Sequence, residues 1–78
     1  MRHFSIFVHS SDDVHAFVRL AMVQPFAVTV DDHRQQVNGK NFMGMFTLDL
    51  SQPLEVLVDC DEDSFRAFSQ KATSLFAS

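Results

Sequence analysis

The histidines are the side chains of this sequence best suited to covalent chemistry near neutral pH. An imidazole can take up a phosphoryl group or a proton and pass it on in this range. His15 and His9 are the candidates, the first inside a predicted helix and the second just before its start. An exposed surface histidine without chemistry is the alternative for each. His3, His9 and His15 recur every six residues, but they fall on different local structures, so no metal site is predicted.

Three alternating aspartates resemble the start of a calcium-binding loop, at Asp59, Asp61 and Asp63. Such a loop needs a glycine at its sixth position and a glutamate at its twelfth. Here those positions hold Ser64 and Gln70, so the calcium interpretation fails. Helix capping explains the acidic cluster better, because Asp61 can accept hydrogen bonds from the free N–H groups of a helix start. No cofactor is predicted.

Size and composition predict one small domain over residues 1–78. Nine phenylalanines, with no tryptophan or tyrosine, supply bulky core material. The formal net charge of −4 argues against nucleic acid as a partner, which would require clustered basic residues. The single cysteine, Cys60, cannot form an internal disulfide, and burial of a small residue is expected there instead of nucleophilic chemistry. With no apolar run long enough for a membrane span, a cytoplasmic location is expected.

Hydrophobic periodicity predicts the order β-α-β-β-α-β-α, and an antiparallel sheet with amphipathic helices on one face buries such elements best. The first helix is predicted to begin near Ser10 and to stop before Pro25. The predicted strands are His3–Val8, Phe26–Asp31, Gln35–Asn38 and Leu54–Asp59, and the other helices are Lys40–Leu48 and one that Asp61 caps. The predicted buried helix stripes are Val14, Phe17, Val18, Ala21 and Met22 in the first helix and Phe65, Phe68, Ala72, Leu75 and Phe76 in the last.

The predicted short helix is unusually rich in large apolar side chains, with Phe42, Met43, Met45 and Phe46 in five residues. A helix this short can bury one face only. We therefore expect the remaining side chains to form an exposed patch that binds a protein partner. The alternative is that all four fill a thin core.

The segment from Val37 to Leu48 resembles the HPr phosphocarrier family, the histidine-containing relay proteins of the bacterial sugar phosphotransferase system. The shared residues are Val37-Asn38, Lys40, Met43-Gly44 and Leu48. The resemblance extends from about Val14 to Cys60. It implies an α+β, open-faced β-sandwich with a four-stranded antiparallel sheet and three helices on one face.

The family holds its phosphorylated histidine at the N-terminus of the first helix, followed by alanine, arginine and proline. One alignment pairs Val14-His15-Ala16 with the family motif and then places Phe17 at the arginine and Val18 at the proline. The other keeps the helix at full length and places the phosphate position near His9 or Ser10. We favour the second, which requires one indel where the first requires two. Both lack the arginine and the proline.

The family's regulatory serine follows the shared lysine, and here that position is Asn41. An asparagine has no hydroxyl, so the resemblance implies that kinase regulation is absent. In HPr relatives the short helix and the first helix form the docking surface for partner enzymes. That surface corresponds to Phe42, Met43, Met45 and Phe46 here.

Two functions remain in consideration. The first is a non-catalytic binding or regulatory module of the phosphoenolpyruvate-dependent sugar phosphotransferase system, which docks a phosphotransferase enzyme or a regulator. The second is an active phosphocarrier that accepts phosphate on His15, or on His9, and passes it to a sugar-specific component. Loss of the arginine, the proline and the regulatory serine favours the first. Self-association into a homo-oligomer through the apolar patch is a third hypothesis.

Overall fold

A computed structural model describes residues 1–76 of the chain. Its elements follow the predicted order, and each helix among these residues is too short or too polar to span a membrane. The strands are β1 (Arg2–Ile6), β2 (Val28–Asp31), β3 (Gln36–Asn38) and β4 (Leu54–Val58), and the helices are α1 (Ser11–Met22), α2 (Phe42–Phe46) and α3 (Glu62–Phe76).

The four strands form one antiparallel sheet in the order β1-β4-β2-β3. Cross-strand pairing places Phe4, Val56, Val30 and Val37 in one row. Side chains alternate between the two faces of a strand, so this row and its buried neighbours define the face that the helices cover. Strand β4 lies between β1 and β2, and its apolar run from Val56 to Val58 is typical of a strand near the centre of a sheet.

The opposite face of the sheet is polar. Its middle row is Ser5, Glu55, Asp31 and Gln36. The Glu55 carboxylate accepts a hydrogen bond from Ser5 Oγ at 2.8 Å and contacts His3 Nδ1, and Gln36 Nε2 donates to Asp31 Oδ2 at 3.3 Å. An antiparallel sheet with one solvated face is typical of this layer arrangement.

The buried stripe of α1 differs from the prediction at its end. Val14, Phe17, Val18 and Ala21 are fully buried, but Met22 is 58% exposed. Met22 is the last helical residue and points away from the core, while Leu20 joins the buried set.

Helix α3 begins as predicted, because Asp61 Oδ1 accepts from the Ser64 N–H at 2.8 Å. Its buried residues are Phe68, Ala72 and Phe76, which are spaced four apart on one face. The prediction of Leu75 as buried is wrong, since that side chain is 58% exposed. It lies about 100° around the helix from Phe76 and leaves the core side.

Several helices and strands are shorter in the structure than the sequence predicted. Strand β1 ends at Ile6, because Phe7 donates its N–H to Phe76 O at 2.7 Å instead of continuing the ladder with β4. Strand β2 begins at Val28, although Phe26 still packs on the core. The short helix α2 is shorter at both ends than predicted, β3 begins one residue later, and β4 ends one residue earlier.

A close backbone approach fixes where α2 starts. The Gly39 N–H donates to Val28 O at 2.8 Å, and a Cβ at Gly39 would lie 2.8 Å from Val28 Cγ1. The following Lys40 Nζ donates to Gln24 O, just after α1, at 2.8 Å. The start of α2 is therefore held against both β2 and the end of α1.

Candidate functional site

The N-terminus of α1 is capped by groups of the chain itself. Ser10 is the N-cap, and its Oγ accepts from the Asp13 N–H at 3.2 Å. The Asp13 carboxylate accepts in turn from the His9 N–H at 3.0 Å. Together with Asp12, this places two carboxylates in the first turn, where they offset the positive end of the helix dipole.

His9 lies one residue before that cap. It is exposed, and its ring stacks on Phe7 with 6.0 Å between ring centroids and an interplanar angle of 6°. Of the two candidate histidines, His9 is the nearer to the start of the helix, at the place that the full-length alignment gives to the phosphate position.

His15 is the fifth residue of α1 and lies beyond its first turn. Its exposed ring faces α2, 4.4 Å from the ring of Phe42 and 6.1 Å from that of Phe46 between centroids. The free N–H groups of a helix lie in its first turn, so His15 has no access to those of α1. The structure thus places His15 beside the apolar helix α2 and away from the start of its own helix.

Asn41 serves as the N-cap of α2. Its Oδ1 accepts from the N–H groups of Met43 at 2.9 Å and Gly44 at 3.3 Å. Asn41 therefore has a structural role, as the group that starts this five-residue helix.

Helix α2 presents part of its apolar content to solvent. Met43 is 80% exposed, Phe46 is 48% exposed and Phe42 is half-buried. Met45 is fully buried, which corrects its inclusion in the exposed patch, because it is the residue with which α2 packs onto the core. We call the four residues His15, Phe42, Met43 and Phe46, all at least partly exposed, the α1–α2 surface.

The end of α1 carries two further exposed apolar residues, Met22 and Val23, which were not predicted to lie on the surface. Val23 is 74% exposed. The signal for them in the sequence is weak. Their position three and two residues before Pro25 places them at the helix end, where a stripe prediction is least certain.

Cys60 is half-buried, which is less than the burial that the sequence predicted. Burial raises the pKa of its thiol, and the carboxylate of Asp61 adds to the effect. The neutral thiol is a poor nucleophile. Among residues 1–76, no three acidic, histidine or cysteine side chains converge to hold a metal ion.

Two solved structures that match along almost the whole chain are HPr proteins. One is HPr-C-His from Thermoanaerobacter tengcongensis, with a TM-score of 0.75, 23% identity and coverage of 100% of this chain and 98% of that one. Another is the histidine-containing phosphocarrier protein of Mycoplasma, with a TM-score of 0.73, 14% identity and coverage of 99% and 100%. No protein-family model matches the sequence, and no curated protein matches it. The chain therefore has the HPr fold that its central segment predicted, with four antiparallel strands and three helices.

Proposed function

We propose that this chain is a non-catalytic module of the phosphoenolpyruvate-dependent sugar phosphotransferase system, which docks a protein partner through the α1–α2 surface in the cytoplasm. The observation that carries the proposal is the start of α1. The favoured alignment puts the phosphate position at this helix start, where the Ser10 cap and the carboxylates of Asp12 and Asp13 lie.

A phosphoryl group at this helix start would meet like charge. The two carboxylates already use the favourable end of the helix dipole, and the Asp13 N–H is already bonded to Ser10 Oγ. A dianion beside them would be repelled by both. Phe17 and Val18, which take the arginine and proline positions in one alignment, are buried and apolar, so they supply no cation.

The docking part of the proposal is supported by exposed apolar area. Met43 and Phe46 present large side chains to solvent beside the ring of His15. A cluster of this kind is typical of a protein-binding surface, and methionine adapts its shape to a partner. Lys40 and Asn41 fix the helix that carries these residues, so the surface is preformed.

An active phosphocarrier is the second candidate, and the position of His9 favours it. The ring is exposed one residue before the helix start, within reach of an upstream enzyme. In this function, His9 or His15 would take phosphate from the general phosphotransferase enzyme and pass it to a sugar-specific component.

Phosphorylation of the purified protein separates the two candidates. After incubation with phosphoenolpyruvate and the general phosphotransferase enzyme, we expect the intact mass to stay unchanged, while an authentic carrier in the same sample gains one phosphoryl group. A gain of that mass here would overturn the proposal. Its loss in His9→Ala or in His15→Ala would then identify the accepting residue.

Docking is tested by a charge placed in the apolar surface. We expect Met43→Asp to weaken binding of the general phosphotransferase enzyme by roughly tenfold or more, because a buried carboxylate without a partner opposes association. Leu75→Asp is the matched control, since Leu75 is 58% exposed but lies on α3. Isothermal titration calorimetry measures both variants, and equal binding by the two would contradict this use of the surface.

A further inference from the structure

The outer side of α1 carries one row of exposed residues that the docking proposal does not use. Asp12, Ala16, Arg19 and Val23 follow one another at intervals of four, three and four residues. This spacing places them on a single face of the helix. All four are exposed.

The two charged residues of this row lie on either side of the small one, four residues before it and three after it. Asp12 and Arg19 are separated by two helical turns, about 10 Å along the axis, and Ala16 lies between them. Among residues 1–76, the ion pairs of the structure are formed by His3 with Glu55 and by Arg66 with two acidic residues of α3. Neither Asp12 nor Arg19 takes part in one.

We infer that two copies of this chain associate through antiparallel α1 helices, with a twofold axis close to Ala16. The axis brings Asp12 of each copy opposite Arg19 of the other, so one surface forms the ion pair twice, as an isologous contact requires. A parallel arrangement would instead oppose Asp12 to Asp12 and Arg19 to Arg19. Charge complementarity therefore selects both the partner and its orientation.

The residues around the axis suit close packing. The small side chain of Ala16 lets the two helices approach at the centre of the contact. Val23, at the end of the row, is 74% exposed, and the antiparallel arrangement places it near the start of α1 in the other copy. Association then covers apolar area that the single chain leaves in water.

Self-association is measured with the purified chain alone, so its outcome does not depend on the docking of another protein. Analytical ultracentrifugation at low ionic strength is expected to show a concentration-dependent dimer. Either single reversal, Asp12→Arg or Arg19→Asp, is expected to lower the association constant by at least roughly tenfold, because it replaces two attractions with two repulsions. The double variant, with both reversals, is expected to restore association.

The control is Arg66→Asp, which reverses an exposed arginine on α3 whose own contacts are with Glu62 and Asp63. It is expected to leave association unchanged. Thermal melting by circular dichroism establishes that each variant is folded. A wild-type chain that stays monomeric at about 1 mM would overturn the inference. Undiminished association of Arg19→Asp, or a folded double variant that remains monomeric, would overturn it as well.

Discussion

Replacing Phe68 with alanine is expected to lower the free energy of unfolding by about 3–5 kcal/mol, since it removes a large buried ring and leaves a cavity. Phe68 is 2% exposed and lies at the centre of an aromatic cluster. Its ring centroid is 5.6 Å from that of Phe4, 5.7 Å from that of Phe26 and 6.4 Å from that of Phe17. The truncation thus weakens contacts of α3 with the sheet, with α1 and with the loop before β2.

Urea denaturation measures this loss. In a domain of this size, total stability is of the order of 5 kcal/mol, so the variant is expected to keep only roughly 0–2 kcal/mol and to be at most about half unfolded without denaturant. Leu75→Ala on the same helix is the control. Its side chain is 58% exposed, and we expect a change within about 0.5 kcal/mol. Equal losses for the two variants would contradict the packing described for α3.

Helical periodicity alone correctly predicted that Phe68 is buried, but it wrongly predicted that Leu75 is buried. Both outcomes have one physical reason. A pattern of i, i+3, i+4 and i+7 identifies the centre of a buried stripe, and the width of the stripe depends on what packs against it. The same limit applies to α1, where Met22 lies outside the stripe and Leu20 inside it. Which residues at the edges of the stripe are buried depends on the neighbouring elements, and the pattern of one helix carries no information about those.

The candidate functional site could also be predicted only in part from the sequence. The apolar richness of α2 indicated an exposed surface, but a helix of five residues is too short for its pattern to show that Met45 is the buried member. The role of Asn41 as a cap follows from its residue type and its position. The position of His15 relative to the helix start depended on where α1 begins, and the Ser10 cap fixes that point.

The role of Asp32 had no signal in the sequence. Asp31 ends a predicted strand and Asp32 follows it directly, and the two are equivalent by residue type. The distinction arises from a contact seventeen residues along the chain, where Asp32 Oδ2 accepts from the Asp49 N–H at 2.9 Å. Oδ1 accepts from the N–H groups of Arg34 and Gln35, each at 2.9 Å. One carboxylate that is 2% exposed therefore joins the β2–β3 turn to the loop after α2.

Asp32→Ala is accordingly expected to lower the melting temperature by on the order of 10 °C or more, because three backbone N–H groups lose a charged acceptor. Asp31→Ala is the matched control. Asp31 is less buried and accepts from the His33 N–H and from Gln36 Nε2, so a smaller decrease is expected. Melting curves of the three proteins at pH 7 measure the effect. A decrease for Asp31→Ala as large as that for Asp32→Ala would contradict it.

The same contacts predict how this contribution depends on pH. The Asp49 N–H, followed by those of Gln35 and Arg34, holds the pKa of the Asp32 carboxyl below its ordinary value. The unfolded chain therefore takes up this proton at a higher pH than the folded chain. The stabilisation from Asp32 is complete above the unfolded pKa of about 3.9 and is lost as the pH falls through the lower folded pKa.

The melting temperatures of wild type and Asp32→Ala should stay well separated from pH 7 to about pH 5 and converge below about pH 4. The lowered pKa of Asp61 is common to both proteins and cancels in their difference. A separation that stayed constant down to pH 2 would show that the alanine variant is destabilised by lost packing and not by the loss of the charged acceptor.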